Sequence, residues 1–268
     1  MAGPDEAREL ALDLATLLSE SGQVTVVANL EDVVDASLRT PRDVTVLPAA
    51  HDGRCLRGMA PVFLVDEENA LVGGDNGSVA AGAILDHLGL ERLRLPAGLD
   101  GSGFEVDGEG CALVAATVPQ HLGLEVAAAE RLLCGWLGLE QVLWLPAEST
   151  GRVRFLRPGL VAADGDPDFL AQLVRLLETS GRAIEVVALP MPRRRGWDGA
   201  NLSYVDCVVA GGVVVLPAFE ESRDGEALER MTVALPERRV VSLPALPLVA
   251  ACCGLGGAVV AQPIRSLL

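Results

Sequence analysis

Apolar residues come in short runs separated by glycine, proline and acidic residues, and many runs close on the same tag, an apolar stretch ending in Leu-Pro. It occurs at Leu47-Pro48, Leu95-Pro96, Leu145-Pro146, Leu189-Pro190 and Leu243-Pro244. A tag returning about every fifty residues marks a repeat architecture. Proline suits a strand end because it cannot donate to the ladder. Each tag closes a similar series. From Phe104 to Pro146 the pattern predicts strand Phe104–Val106, a turn at Asp107–Gly110, strand Cys111–Ala116, a helix over Glu125–Leu137 with Ala127, Ala128, Leu132 and Leu133 on or near one face, and strand Gln141–Leu145.

The same strand, turn, strand, helix, strand order recurs three more times. Val62–Val65 and Ala70–Val72 precede a helix at Val79–Leu88, which Gly89 is placed to end. Val153–Leu156 and Leu160–Ala163 precede a helix at Asp168–Leu177 and strand Ile184–Leu189. Tyr204–Val209 and Val213–Leu216 precede a helix at Gly225–Val233 and strand Arg239–Leu243. The first unit is incomplete: helix Pro4–Leu18, strand Val24–Ala28, a short helix near Leu30–Leu38 and the strand ending at Pro48. The last stretch, Pro247–Pro263, reads as a hairpin, Leu248–Cys252 and Ala258–Ala261 around Gly254–Gly257. The simplest arrangement is a closed ring in which this hairpin completes unit one, which also removes exposed sheet edges. An open α/β sheet carries the same elements but leaves the hairpin unexplained.

Composition narrows the function classes. The chain is 50% apolar over 268 residues, enough for a large core. No run approaches the ~20 residues of a membrane span, and the start lacks the apolar segment of a signal peptide, so a cytoplasmic protein is expected. Net charge is −16, which opposes nucleic acid and anionic membranes as partners. Every cationic residue is Arg, so neither a lysine Schiff base nor a P-loop lysine is available. The six Cys show no CxxC spacing and no Cys/His cluster. No metal site is expected, nor any cofactor, and the thiols read as small buried apolar groups.

Several segments, in order, resemble the agmatine deiminase and bacterial-type peptidylarginine deiminase family. They are RGMAPVFLVD at Arg57–Asp66, DGSGFEVDGEGCAL at Asp100–Leu113, RFLRPGLV at Arg154–Val161, LSYVDCVVAGGVVVLPAFEESRDGEAL at Leu202–Leu228, and Gln262-Pro263. The resemblance covers nearly the whole chain. It implies an α/β fold of the pentein type, a closed ring (α/β propeller) of five strand-strand-helix-strand units, with residues 1–268 as a single domain. It also implies a chemistry. A Cys thiolate attacks a guanidinium carbon, a His moves protons, and carboxylates grip the nitrogens.

Carried over position by position, that machinery is missing. The nucleophile position falls on Ala258 and its preceding His on Gly257. The Asp after Arg57 falls on Gly58, and the Glu of the Glu-Gly-Gly segment on Asp100, a shorter carboxylate. Gly151-Arg152-Val153 stands where the family has Gly-His-x-Asp, so Arg152 replaces the His and the Asp has no counterpart. A guanidinium pocket needs net negative charge. Losing two carboxylates and gaining a cation opposes guanidinium binding, and no deiminase activity is expected.

The remaining candidates have plain structural alternatives. Cys252 and Cys253 fall near the lost nucleophile but on the other strand of the expected hairpin, where buried thiols suffice. His51 lies in the loop before Arg57, His87 at a helix C-terminus and His121 in a loop or helix start; no pair has metal spacing. Arg193-Arg194-Arg195 with Trp197 suits an anionic ligand or an acidic partner, or a solvated loop. Asp206 stands at the family's Asn position, and Asp224 is placed to cap a helix.

Two classes of function follow. One is a non-catalytic pentein that binds a small-molecule ligand or a protein partner, as a homo- or hetero-oligomer. The other is an enzyme with altered chemistry in a biosynthetic pathway, acting on a guanidino- or carboxylate-bearing molecule through Arg57, Asp100, Arg152 and His51. An open cleft with Arg152 and Asp100 pointing inward favours a ligand site. A cleft filled by Leu255, Val259 and neighbours favours a scaffold.

Overall fold

The computed structural model describes residues 4–53, 55–146, 149, 151–194, 202–251 and 254–263. Among them the strands form five small sheets, one of two strands and four of three, interleaved with helices. The first sheet pairs β1 (Thr25–Ala28) with β2 (Thr45–Pro48) in parallel. The others run β3 (Val62–Val65), β4 (Leu71–Asp75), β5 (Arg92–Arg94); β6 (Phe104–Val106), β7 (Cys111–Ala115), β8 (Gln141–Leu145); β9 (Val153–Arg157), β10 (Leu160–Asp164), β11 (Glu185–Leu189); and β12 (Val208–Ala210), β13 (Val213–Ala218), β14 (Arg239–Pro244). In the first three of these an antiparallel hairpin is followed by a helix and a strand parallel to its second member. That is the order the Leu-Pro repeats predict. The fourth hairpin is shorter than expected, because residues 204–206 form a turn before β12 begins.

The helices start and stop where side chains dictate. Helix α4 (Val79–Leu88) is capped by Ser78, whose hydroxyl accepts from Ala81 N at 2.9 Å, and it ends at Gly89, whose φ of +62° is left-handed. Helix α7 (Pro167–Thr179) has Pro167 in its first turn and Asp166 as its cap, accepting from Phe169 N at 2.8 Å. Two consecutive glycines interrupt β4 for a packing reason. A Cβ on Gly73 would fall 1.9 Å from Leu85 of α4, and one on Gly74 2.9 Å from Leu95. The strand carries no side chains there so that the helix can lie against it.

The chain divides into two compact units: Met1–Ser102 with Val208–Val214 and Leu243–Leu268, and Gly103–Cys207 with Val215–Ser242. In the first, Leu12 of α1 (Pro4–Ser19), Ala28 of β1 and Ala36 of α2 (Val33–Arg39) form a small core with Val26, Val33 and Val46 against it. In the second, α7 buries Phe169, Leu173 and Leu177 against strands β7 to β10 through Leu113, Leu143, Phe155 and Val161.

The expected C-terminal hairpin is absent. Leu246–Ala251 is a helix, α9, and it packs against α1 of the same unit. Residues 258–263 are not in a strand. Pro247, the second residue of α9, fixes φ near −65°, a helical value that suits a first turn, and a short apolar run carries no periodicity able to tell strand from helix. The last segment still returns to unit one, but as a helix on α1. The two-stranded first sheet keeps its open count. Cys252 and Cys253 lie outside the described residues, as do Arg195 and Trp197 of the basic cluster.

Candidate functional site

In the first unit a short helix, α3 (Leu56–Met59), carries Arg57 and Gly58. Three features fix it. Arg57 N donates to Gly257 O at 3.2 Å, and the Cys55 thiol lies 3.5 Å from the same oxygen. Asn76 Nδ2 donates to the carbonyls of Gly58 and Ala60 at 3.0 and 3.1 Å. The Ser78 hydroxyl donates to Met59 O. The Asp100 loop lies alongside. Asp100 Oδ1 accepts from Ser102 N at 2.8 Å and from the Ser102 hydroxyl at 2.5 Å.

Positions 58 and 100 adjoin. A Cβ added to Gly58 would stand 4.0 Å from Asp100 Oδ2, and one on Gly101 would stand 2.9 Å from Arg57 O. A carboxylate at position 58 would therefore sit beside Asp100. Position 58 itself carries no side chain. Next to it, Ala258 N closes a turn on Leu255 O at 3.1 Å, and Leu255 is fully buried. Val259 is half-buried. His51 is tied elsewhere: its N–H donates to Asn29 Oδ1 at 2.9 Å, and its Nδ1 accepts from Gly53 N at 3.1 Å. The structure thus gathers Arg57, Gly58, Asp100 and Gly257 in this unit and records no bond between His51 and any of them.

Arg152 belongs to the second unit and is not an unpaired cation. Its Nε donates to Asp164 Oδ2 at 3.3 Å, a terminal nitrogen lies 3.7 Å from Asp166 Oδ1, and its guanidinium stacks 4.1 Å above the Phe169 ring. Asp164 is buried, and its other oxygen accepts from the Ser203 hydroxyl at 2.6 Å. Burial pushes the Asp164 carboxyl above its ordinary range, against the downward pull of the Ser203 and Arg152 bonds. The cation that position 152 adds is met by these two carboxylates. Asp164 itself escaped the sequence reading. The available signal was an acidic residue ending the otherwise apolar strand LVAAD, since buried Asp is rare unless paired.

Neighbouring polar groups are also satisfied internally. Arg154 donates to Cys207 O and lies 3.4 Å from Glu105 Oε1. Burial opposes its charge, but Glu105, Cys207 and Asp206 outweigh that and raise its pKa. Burial pushes the Cys207 thiol up to about 11 despite Arg154, and burial with Asp107 raises Cys111. Neither supplies thiolate near neutrality. The fully buried Tyr204 donates to Asp224 Oδ1 at 2.6 Å, with Glu221 Oε1 at 3.1 Å. Asp224 does not cap its helix. It sits inside the first turn of α8 (Asp224–Ala234) and accepts from the N–H groups of Phe219 and Glu221 at 3.1 Å, bracing the loop before it. Of the basic cluster, Arg193 and Arg194 are described, and both donate backbone N–H groups to Glu221 Oε2, at 2.8 and 3.0 Å. Among the described residues no group of three or more His, Cys, Asp or Glu is placed to hold a metal ion, and no helix is long and apolar enough to cross a membrane.

Five small sheets, most built as an antiparallel hairpin plus a parallel strand returned by a helix, define an α/β protein of the pentein class. The fold matches agmatine deiminase of Enterococcus faecalis with a TM-score of 0.83 at 21% identity, over 98% of this chain and 89% of that one. It matches C. jejuni agmatine deiminase with a TM-score of 0.80 at 16% identity, over 95% and 86%. The chain belongs to the Porphyromonas-type peptidyl-arginine deiminase family, whose model matches residues 2–263. Among sequence relatives, agmatine deiminase of Stutzerimonas stutzeri is 28% identical, covering 91% of this chain and 83% of the relative. That alignment spans 311 positions against a chain of 268 residues, so internal segments of the relative have no counterpart here.

Proposed function

We propose that this family member is a non-catalytic pentein that binds a small molecule or a protein partner in the cytoplasm. The observation that carries the proposal is the turn at Leu255–Ala258. By the family motif ending in Gln262-Pro263, Ala258 stands at the nucleophile position and Gly257 at the preceding His. The turn rests on the fully buried Leu255 and is tied by its Gly257 carbonyl to Arg57 N. A methyl group can neither attack a guanidinium carbon nor move a proton. The glycine at position 58 beside Asp100 supports the same reading, because bidentate gripping of a guanidinium needs opposed acceptors.

The alternative, an enzyme of altered chemistry using Arg57, Asp100, His51 and Arg152, loses its main support when Arg152 is matched by Asp164 and Asp166. A thermal-shift series separates the two. A ligand at a hundred times its dissociation constant stabilises a fold by about 2.7 kcal/mol. Agmatine and a peptidyl-arginine substrate should give no shift. A shift with either would mean that the guanidinium site is intact and that the residue mapping is wrong. A shift with a small carboxylate, abolished by Arg152→Ala, would favour the altered enzyme.

A further inference from the structure

A cleft of about 300 Å³ opens in the second unit where the end of β11 meets helix α8. Its floor is apolar: Leu189 and Pro190, the strand end marked by a Leu-Pro tag, are both buried. A Cβ on Gly165 would fall 2.6 Å from Leu189 O, so a glycine there lets the exit of β10 lie against that strand end. The wall is charged. β11 is an edge strand of its sheet, and two arginines of the α8 segment meet carbonyls at its end. Arg230 donates to Ala188 O at 2.6 Å, and Arg223 donates to Met191 O at 2.7 Å.

The two guanidinium groups differ in what they have left to bind. Arg230 is paired with Glu226 Oε1 at 2.7 Å. Arg223 has no carboxylate within ion-pair distance among the described residues, and its one carbonyl leaves N–H donors over for a second acceptor. The carboxylates around it in sequence are engaged. Glu220 pairs with Arg194, Glu221 accepts from the N–H groups of Arg193 and Arg194, and Asp224 accepts from Tyr204. Among the described residues that line the cleft, Glu226 is the one carboxylate. The cleft thus sets an unpaired cation beside an apolar floor. A guanidinium fork suits a carboxylate, which it grips through parallel hydrogen bonds. The volume lies at the small end of ligand sites, room for an acid of a few carbons. We propose that this cleft binds a small monocarboxylic acid, its carboxylate on Arg223 and its short apolar chain on Leu189 and Pro190. Glu226 repels a second negative charge, which disfavours phosphate and dicarboxylates. The site shares no residue with the Arg57–Asp100 surface or the Arg152 cluster, so it stands whether or not the chain is catalytic.

A ligand-observed NMR titration of the full chain with isocaproate decides this. Saturable binding at a single site is expected. Isocaproamide keeps the chain and loses the charge, and acetate keeps the charge and loses the chain; each should bind about tenfold more weakly or worse. Arg223→Gln should weaken isocaproate about tenfold, Arg223→Lys should weaken it less, and Arg152→Ala should leave it unchanged. If Arg223→Gln fails to fold, Glu226→Gln still decides, because it frees Arg230 and should tighten isocaproate several-fold. Absence of saturable isocaproate binding overturns the proposal. So does an amide that binds as well as the acid, or a Glu226→Gln variant of unchanged affinity. Binding lost in Arg152→Ala but kept in Arg223→Gln also overturns it, and would place the carboxylate at the Arg152 cluster instead.

Discussion

The surroundings of Arg152 and Arg57 differ in what holds them. Arg152 lies in a network of side chains: two carboxylates, a hydroxyl on one of them, and an aromatic face. The Arg57 segment is held at its backbone groups, by Gly257 O, by the Asn76 and Ser78 side chains on its carbonyls, and by a glycine at 101 that lets the Asp100 loop lie close. The first is a cluster in which the guanidinium is met by carboxylates of the same unit. The second is a surface with Asp100 and the Leu255–Ala258 turn beside it. An arginine-bearing segment can thus be held in two physical ways, through its charged side chain or through its backbone groups.

The sharpest break in this contrast comes at Asp164. Asp164→Ala leaves Arg152 partly buried with Asp166 as its remaining carboxylate and takes away the acceptor of the Ser203 hydroxyl proton. Urea unfolding should show a loss of about 2–3 kcal/mol, and a loss under half of that would mean that Arg152 is not held by this carboxylate. Gly101→Ala tests the backbone-defined surface. A Cβ 2.9 Å from Arg57 O must displace backbone, so a cost of about 1–2 kcal/mol is expected, without the loss of charge pairing that Asp164→Ala entails. Ser203→Ala removes one hydrogen bond from Asp164 and should cost about 1 kcal/mol.

The smallest effect is pH-dependent. The Asp164 carboxyl is raised in the folded state, chiefly by burial, so the folded chain holds this proton more tightly than the unfolded chain does. Its contribution is full below the ordinary carboxylate value of 3.8 and is lost as pH rises through the folded value. Wild type should therefore gain stability relative to Asp164→Asn as pH falls from about 7 towards about 4. A gap that moves the other way would mean that the bonds from Ser203 and Arg152, not burial, dominate.

The repeat was legible because each Leu-Pro tag marks a strand end, and proline and glycine act locally. Gly89 ends α4 as its left-handed φ requires. The Arg152–Asp164 pair was not legible, for a reason of register. β9 and β10 pair Leu160 with Arg157, but a bulge between Leu160 and Val161 shifts the later partners to Val161 with Phe155 and Ala163 with Val153. The next residue, Asp164, donates its N–H to Arg152 O at 3.0 Å. Without that bulge the ladder would set Asp164 against Val153. A one-residue irregularity leaves no trace in apolar spacing. The C-terminal helix was missed for a related reason: five apolar residues around a proline satisfy both periodicities.

The non-catalytic assignment is tested most directly by incubating the purified chain with agmatine and with a peptidyl-arginine substrate and measuring ammonia and ureido product, with Enterococcus faecalis agmatine deiminase run in parallel. The account predicts product at the level of the protein-free blank while the parallel enzyme turns agmatine over. Ureido product above the blank, formed in proportion to the amount of this protein, would contradict it and would mean that another group serves as nucleophile where Ala258 stands.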